Sequence, residues 1–486
     1  AEDGIRDSVA SRGLGDVYKR QLLMLFSLSF IVPISISLLY SDSSLNTFLI
    51  TFLLVLSVGF VFWFTSKNHK QELSSNDGFI IITLFWLVLA IAGSLPFYLS
   101  GMSVIDSFFE SMSGITTTGA TVITNIDGLD KSLLMYRQLL QWMGGMGLIV
   151  LAIAVMPILG IGGGQIYKTE IPGAMSDQKL TPRITETAKA LWTIYFGLTV
   201  LCALMYWIAG MNGFDAIAHS LSTVSIGGFS THDDSIGFFN NFGIELVCII
   251  FMIISASSFA LHYGAIFRGR ALRYFYDPEF RFFISIILLV FAASSLILFF
   301  NPGSSESQRS VLFQAVSIVS TTGFTTTDYS LWPSVIGFLL LIGAFIGGCS
   351  GSVGGGIKSW RILIMLNHAH KQLIKIIHPR AVVSVKIGSK VVDGSVAESV
   401  WGFFSIYVIS FMLLLFALLA TGLDFTSAFS AIGACLNNLG PGLGEVSANY
   451  SSVTNAGKGI LAFGMILGRL EIFTVLVLFM PMFWRR

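Results

Sequence analysis

The sequence predicts an all-α polytopic membrane protein. Two N-terminal spans should precede four pseudo-repeated units, each outer helix, pore helix, filter loop and inner helix, set around one central pore. Three observations predict this. The chain of 486 residues is 54% hydrophobic and only 11% charged, with mean hydropathy +0.79, whereas soluble domains carry roughly 25% charged residues. Apolar runs near 22–40, 45–65, 78–100, 134–160, 188–210, 238–266, 281–300, 332–366, 399–421 and 459–483 each approach the ~20 residues a bilayer crossing needs. Finally, four short segments repeat one pattern: TTTGAT at Thr116–Thr121, SIGGFS at Ser225–Ser230, STTGFT at Ser320–Thr325 and NNLGPG at Asn437–Gly442.

In chain order, residues 1–21 are polar and foreign to the rest, with no apolar signal region. They read as a foreign or disordered tail without function. Residues 22–70 hold the two extra N-terminal helices. Pore unit 1 takes 71–183, unit 2 184–275, unit 3 276–390 and unit 4 391–486. Ten spans place both termini on one side. The four repeats align on Gly119, Gly228, Gly323 and Gly440, spaced 109, 95 and 117 residues apart. Thirteen residues before each glycine stands Asp106, Asp215, Ser310 or Ser427, all good helix N-cap types. The apolar stretch between cap and glycine is too short to span, so it reads as a re-entrant pore helix.

Charge gives the orientation. Lys67, Lys70, Lys168, Lys179, Arg183, Arg268, Arg270, Arg273, Arg281, Lys358, Arg361, Lys371, Lys375, Arg380, Lys386 and Lys390 lie between units, and Arg485 and Arg486 end the chain. These faces, and both termini, should be cytoplasmic. The segments after the glycines carry Asp127, Asp130, Asp233, Asp234, Asp328 and Glu445, against Lys131 and Lys458. Acids there either concentrate cations at an outer mouth or simply reflect avoidance of positive charge outside.

Irregular backbone survives at membrane depth only inside protein or along a water-filled path. A filter loop meets that condition, because its carbonyls replace the water of a partly dehydrated cation. Each glycine reaches dihedrals that strain other residues. The filter tetrads are Thr116, Thr117, Thr118 and Gly119; Ser225, Ile226, Gly227 and Gly228; Ser320, Thr321, Thr322 and Gly323; and Asn437, Asn438, Leu439 and Gly440. None contains a carboxylate, which favours a monovalent cation over calcium. Pore helices aimed C-terminus inward add negative dipole ends. Glu110, His219, Gln314 and Ala431 share a column nine before each glycine, where the polar three can bond the loops from behind.

These residues resemble the Trk/Ktr/HKT superfamily of potassium transporters. The two extra spans, GSLPF at Gly93–Phe97, ESMSGITTTGAT at Glu110–Thr121 and GGGIK at Gly354–Lys358 make the likeness closest to its bacterial TrkH branch. The resemblance implies K+ as substrate, held at the filter tetrads, and a gated channel-like uptake pore in the bacterial inner membrane. It further implies a homodimer with a pore in each subunit and a TrkA-type ring of nucleotide-binding subunits on the cytoplasmic face. No covalent cofactor is implied. Asn437, Asn438 and Pro441 depart from the Thr or Ser usual in the family, so the pore should be only approximately fourfold.

Within the third inner helix, Gly347, Gly348, Cys349, Ser350, Gly351, Ser352, Val353, Gly354, Gly355 and Gly356 include six glycines, too many for a stable helix. The alternative is close packing of small residues against a neighbouring helix. In the family such a loop blocks the pore, so the resemblance implies a gate, with Lys358 beside it. Arg469 lies about ten residues into the last span, near the midplane at 1.5 Å per residue, where a charge should face a polar cavity. It is expected to border the pore and touch this loop; Glu471, two positions on, does not share its helix face. The other possibility is a structural partner on another helix.

The basic stretch Lys358–Lys390 suits anionic lipid headgroups or the cytosolic ring. Net charge +1 gives no basis for nucleic-acid binding. The four cysteines, Cys202, Cys248, Cys349 and Cys435, lack metal-ligand spacing. Two other readings compete: a sodium- or proton-coupled symporter, disfavoured because the repeats run parallel rather than inverted, and an intramembrane serine protease using Ser350 with His219 or His262. The latter leaves the four repeats without a role, so no enzyme is expected.

Overall fold

The structure is a computed structural model that describes residues 23–66, 75–154, 184–301, 307–388 and 390–484. The tail at 1–21 and the basic positions Lys67, Lys70, Lys168, Lys179, Arg183, Arg485 and Arg486 lie outside the described residues. The chain is almost wholly helical. One two-stranded antiparallel hairpin, Lys386–Ile387 with Lys390–Val391, is the exception among the described residues.

Spans Leu23–Tyr40 and Leu45–Thr65 open the fold. Their uniform apolarity satisfies lipid on one side: Leu53, Val61 and Phe62 are exposed. On the other side Phe30 stacks on Tyr136 and Phe48 meets it edge-on, at 5.6 and 5.5 Å between ring centroids.

Four units follow. Unit 1 has outer helix Ser75–Leu99, pore helix Val104–Ile115 and inner helix Lys131–Ala154. Unit 2 has outer helix Ile184–Ile208 and pore helix Gly213–Val224. Its inner helix is a pair, Phe242–Ser255 and Phe259–Arg268, bent by 97°. Unit 3 has outer helix Pro278–Phe299, pore helix Gln308–Val319 and an inner helix in two pieces, Ser334–Ile346 and Ser359–Ile377. Unit 4 has outer helix Gly394–Leu419, pore helix Phe425–Leu436 and an inner pair, Asn455–Arg469 and Glu471–Phe479, bent by 109°. The expected spans at 238–266 and 459–483 are therefore each broken, by a Ser-rich turn and after Arg469, while the one at 332–366 is broken by the glycine run, as expected.

Each pore helix has 12 residues. At 1.5 Å per residue this is about 18 Å, short of the ~30 Å hydrocarbon core. Their caps correct the sequence reading. The N-caps are Ser103, Asn212, Ser307 and Asp424, not Asp106, Asp215, Ser310 and Ser427. The latter four occupy the third helical position, and their backbone N–H groups donate to the true caps at 2.9–3.2 Å. In the first three units the third-position side chains also hydrogen-bond to the cap side chains, Asp106 and Asp215 accepting from Ser103 and Asn212, and Ser310 pairing with Ser307. Polar residues are favoured at both positions, which is why the two were confused.

Two large apolar clusters carry the packing. One joins units 2 and 3 through residues such as Tyr206, Phe251, Phe283 and Val319. The other joins the N-terminal pair with units 1 and 4 through Phe30, Trp86, Phe109 and Tyr450. The pore helices of units 2 and 3 contribute residues such as Val224 and Phe313 to the first cluster, and those of units 1 and 4 residues such as Met112 and Ile432 to the second.

Candidate functional site

The four loops share one backbone. Thr116, Ser225, Ser320 and Asn437 end the pore helices with φ between −93° and −73°. Thr117, Ile226, Thr321 and Asn438 then turn left-handed, at φ 54°, 54°, 63° and 52°. Their N–H groups bond three residues back, and those of Thr118, Gly227, Thr322 and Leu439 bond five back, at 2.8–2.9 Å, to Ser113, Ser222, Ser317 and Ala434. This is a Schellman ending, repeated four times. Its left-handed position normally takes glycine, so the sequence carried no signal for it. Each strained residue costs of order 1–3 kcal/mol, held by the surrounding bonds.

The aligned glycines follow at φ 83°, 79°, 86° and 96°. They also meet across loops. A Cβ on Gly119 would lie 2.1 Å from Gly227 O, on Gly228 2.0 Å from Thr322 O, on Gly323 2.1 Å from Leu439 O and on Gly440 2.7 Å from Thr118 O. Each glycine thus packs against a carbonyl of the next loop, and the fourth returns to the first. The loops form a closed ring, loosest at the fourth member, in line with the expected imperfect symmetry.

The loops are held from behind. The Glu110 carboxylate accepts from Thr121 Oγ1 and Val122 N at 3.0 Å. His219 Nε2 meets Ser230 Oγ at 3.0 Å, and Gln314 donates to Thr327 O at 3.1 Å. In unit 4 Ser430, beside Ala431, does this work on Leu443. Tyr407 donates to Asn437 Oδ1 at 2.8 Å and Tyr450 to Gly440 O at 2.7 Å. Arg137, missed by sequence reasoning, pairs with Glu110 at 2.8 Å with both side chains fully buried and donates to Ser230 O at 3.0 Å, tying loop 1 to loop 2. Breaking such a pair costs about 3–5 kcal/mol because the remaining charge stays buried. Glu110→Leu is therefore expected to lower the thermal midpoint of purified protein more than Glu110→Leu combined with Arg137→Met; equal losses would contradict this.

Beyond the ring, a cavity of about 410 Å³ is lined by all four glycines and by Asp233, Asp234 and Asp328. Asp127 and Asp130 serve other contacts. Asp130 accepts from Ser43 and Ser44. Asp127 meets His232 Nδ1 at 2.5 Å, while His232 Nε2 faces Asp215 Oδ2 at 3.3 Å. Asp233 closes the clasp by accepting from Ile126 N at 2.9 Å. A carboxylate on each ring nitrogen suits the doubly protonated imidazolium. Burial opposes that charge, but the Asp215 and Asp127 bonds outweigh it and raise the His232 pKa above 6.5. Burial likewise opposes the Asp127 charge, yet the His232 bond holds its pKa below 3.8. The His232 contribution is complete below 6.5 and lost as pH rises through the raised value; that of Asp127 is complete above 3.8 and lost as pH falls through the lowered one. The wild type should therefore exceed His232→Gln in thermal midpoint below pH 6.5 and lose that advantage as pH rises through the raised His232 value. A pH-independent difference would exclude the clasp as its origin.

On the other side of the ring lies the glycine run. Gly355 N donates to Thr321 Oγ1 at 2.7 Å and Gly356 N to Asn437 O at 3.2 Å, so the loop abuts the ends of pore helices 3 and 4. A Cβ on Gly355 would lie 1.9 Å from Asn437 O; only glycine permits this approach. Cys349 N reaches Ala256 O at 2.9 Å, at the break in inner helix 2. Ser350 N donates to Glu279.

Arg469 ends the first half of inner helix 4 rather than sitting in mid-helix. It is buried and donates to Val353 O at 3.0 Å and Gly144 O at 2.8 Å, joining loop, unit 1 and unit 4. Among the described residues no carboxylate lies within ion-pair distance of it. Glu471 pairs instead with Arg361. Lys358 and Arg361, expected on a cytoplasmic face, are buried. The loop folds back inward, so the helix restarting at Ser359 carries both inside, and Lys358 donates to Gly354 O. The histidines proposed as bases have both ring nitrogens engaged elsewhere: His219 with Asp215 O and Ser230, His262 with Tyr274 and Ile254 O.

The family described as "TrkH: Cation transport protein" matches residues 44–486. A Trk system potassium uptake protein TrkH of Halomonas elongata is 52% identical, covering 96% of this chain and 98% of its own length. The protein of the same description from Escherichia coli strain K12 is 47% identical over 96% and 97%. The crystal structure of the potassium transporter TrkH from Vibrio parahaemolyticus is similar at a TM-score of 0.87 and 48% identity, covering 96% of this chain and 97% of that one.

Proposed function

The chain belongs to the TrkH family of cation transport proteins, and on that premise we propose that it takes up potassium across the bacterial inner membrane through a gated, channel-like filter pore. The observation that carries this reading is the closed ring of four loops, each glycine against the next loop's carbonyl, below a cavity bearing Asp233, Asp234 and Asp328.

Cations gather at the acidic mouth. They exchange water for oxygens of the four tetrads, Thr116–Gly119, Ser225–Gly228, Ser320–Gly323 and Asn437–Gly440, with the pore-helix dipoles favouring positive charge. The loop Gly347–Gly356, with Lys358 and Arg469, forms the gate. An inside-negative potential supplies about 2.3 kcal/mol per charge per 100 mV. No covalent step or covalent cofactor takes part, and the protein is not an enzyme. Both termini and the basic connections lie in the cytoplasm, where a TrkA-type nucleotide-binding ring docks on a homodimer.

The test is ion flux into liposomes holding the purified protein under a K+ gradient alone. K+ flux exceeding Na+ flux supports the pore. K+ flux that begins only when a proton or sodium gradient is imposed replaces it with a symporter, and the same tetrads become a binding site.

A further inference from the structure

Loop 2 is held differently from its three partners. In loops 1 and 3 a hydroxyl pair spans the left-handed residue: Thr116 Oγ1 with Thr118 Oγ1, and Ser320 Oγ with Thr322 Oγ1, both at 2.8 Å. In loop 4 the Asn438 amide anchors on Thr118 Oγ1 and Met465 O. Loop 2 has Ser225, but glycine stands at 227 where a threonine would complete the pair. Glycine there leaves the chain most free, and its carbonyl is the ring oxygen that meets Gly119.

Gln141, on inner helix 1 and fully buried, fills that gap. Its Oε1 accepts from Ser222 Oγ at 2.7 Å and from Phe229 N at 3.1 Å. Its Nε2 donates to Gly227 O at 2.6 Å. The fit is mutual: a Cβ on Gly227 would lie 2.3 Å from the carboxamide carbon of Gln141. Among the described residues, Gly227 O is the one ring carbonyl that a side-chain amide holds.

We propose that Gln141 is a specificity-determining positioning residue, supplying to loop 2 from a neighbouring helix the brace that loops 1 and 3 build from their own hydroxyls. It acts through the Gly227 carbonyl and does not touch the ion. The inference rests on the four loops being the selective element.

The experiment measures the ratio of K+ to Na+ flux in liposomes. Gln141→Ala, and Gln141→Met which keeps the volume, should lower the ratio about tenfold, the worth of one buried hydrogen bond. Combining Gln141→Ala with Gly227→Thr frees the space and installs the loop 3 pattern, so the double variant should return to within about twofold of wild type, a coupling that independent sites do not show. An unchanged ratio in monodisperse Gln141→Met protein overturns the proposal, as does a double variant no better than Gln141→Ala. Gly323→Ser serves as comparator. If it alters the ratio while the Gln141 variants do not, only this proposal falls. If neither alters it, the filter reading falls too and takes the proposal with it.

Discussion

Gly323→Ser should lower the K+ to Na+ flux ratio by about tenfold or more while leaving an assembled protein, because the lost discrimination equals at least one oxygen contact of about 1.5 kcal/mol. Gly323 is left-handed at φ 86°, and a Cβ would come within 2.1 Å of Leu439 O and 2.8 Å of Pro441 Cδ. No rotamer relieves this, because the clash involves the Cβ itself. Either Gly323 or the Leu439 carbonyl must shift, and that carbonyl belongs to the ring. A side chain at left-handed φ adds roughly 1–2 kcal/mol of strain, so a lower thermal midpoint should accompany the loss. Gly402 offers a control, since nothing lies within 4 Å of a Cβ placed there: Gly402→Ala should leave the ratio intact. A wild-type ratio in folded Gly323→Ser protein would remove the ring from the selectivity mechanism.

Arg469→Gln should raise K+ leak through the closed pore. Arg469 meets carbonyl oxygens of Val353 and Gly144, so its positive charge has no opposite charge beside it among the described residues. A unit charge near a cation's path opposes it by about 1–4 kcal/mol at 4 Å, depending on how much water screens the pair. Removing it also frees Val353 from inner helix 4. Both effects lower the barrier, so about tenfold more gradient-driven flux is expected under closed conditions. Arg469→Lys keeps the charge but loses the fork that reaches both carbonyls, and should leak less than Arg469→Gln. Equal flux in wild type and Arg469→Gln, both open and closed, would exclude Arg469 from the gate.

What the sequence determined by itself follows from properties that are local in the chain. Hydropathy runs located the six long apolar helices found among the described residues, since lipid solvates each helix independently. The four glycines and their spacing identified the ring, since a left-handed residue in tight contact leaves few other choices of residue. The glycine run at Gly347–Gly356 announced a break, since no tertiary contact easily rescues six glycines in ten positions. Polar residues nine before three of the four glycines pointed to bonds behind the loops, as Glu110, His219 and Gln314 make them.

Only the tertiary structure decided the rest. The caps lie three residues earlier than expected, because the cap and third helical positions accept the same polar types. Thr117, Ile226, Thr321 and Asn438 are left-handed although none is glycine, a strain that the helix ends and neighbouring loops hold in place. Lys358 and Arg361 look cytoplasmic in one dimension, yet the inward fold of the loop buries them with Gly354 O and Glu471. Gln141 finds Gly227 across 86 residues, and Arg469 finds Val353 across 116. A side chain's hydrogen-bonding capacity is written in its residue type, but its partner is set by which helices pack together, and that packing exists only once the four units have closed around one axis.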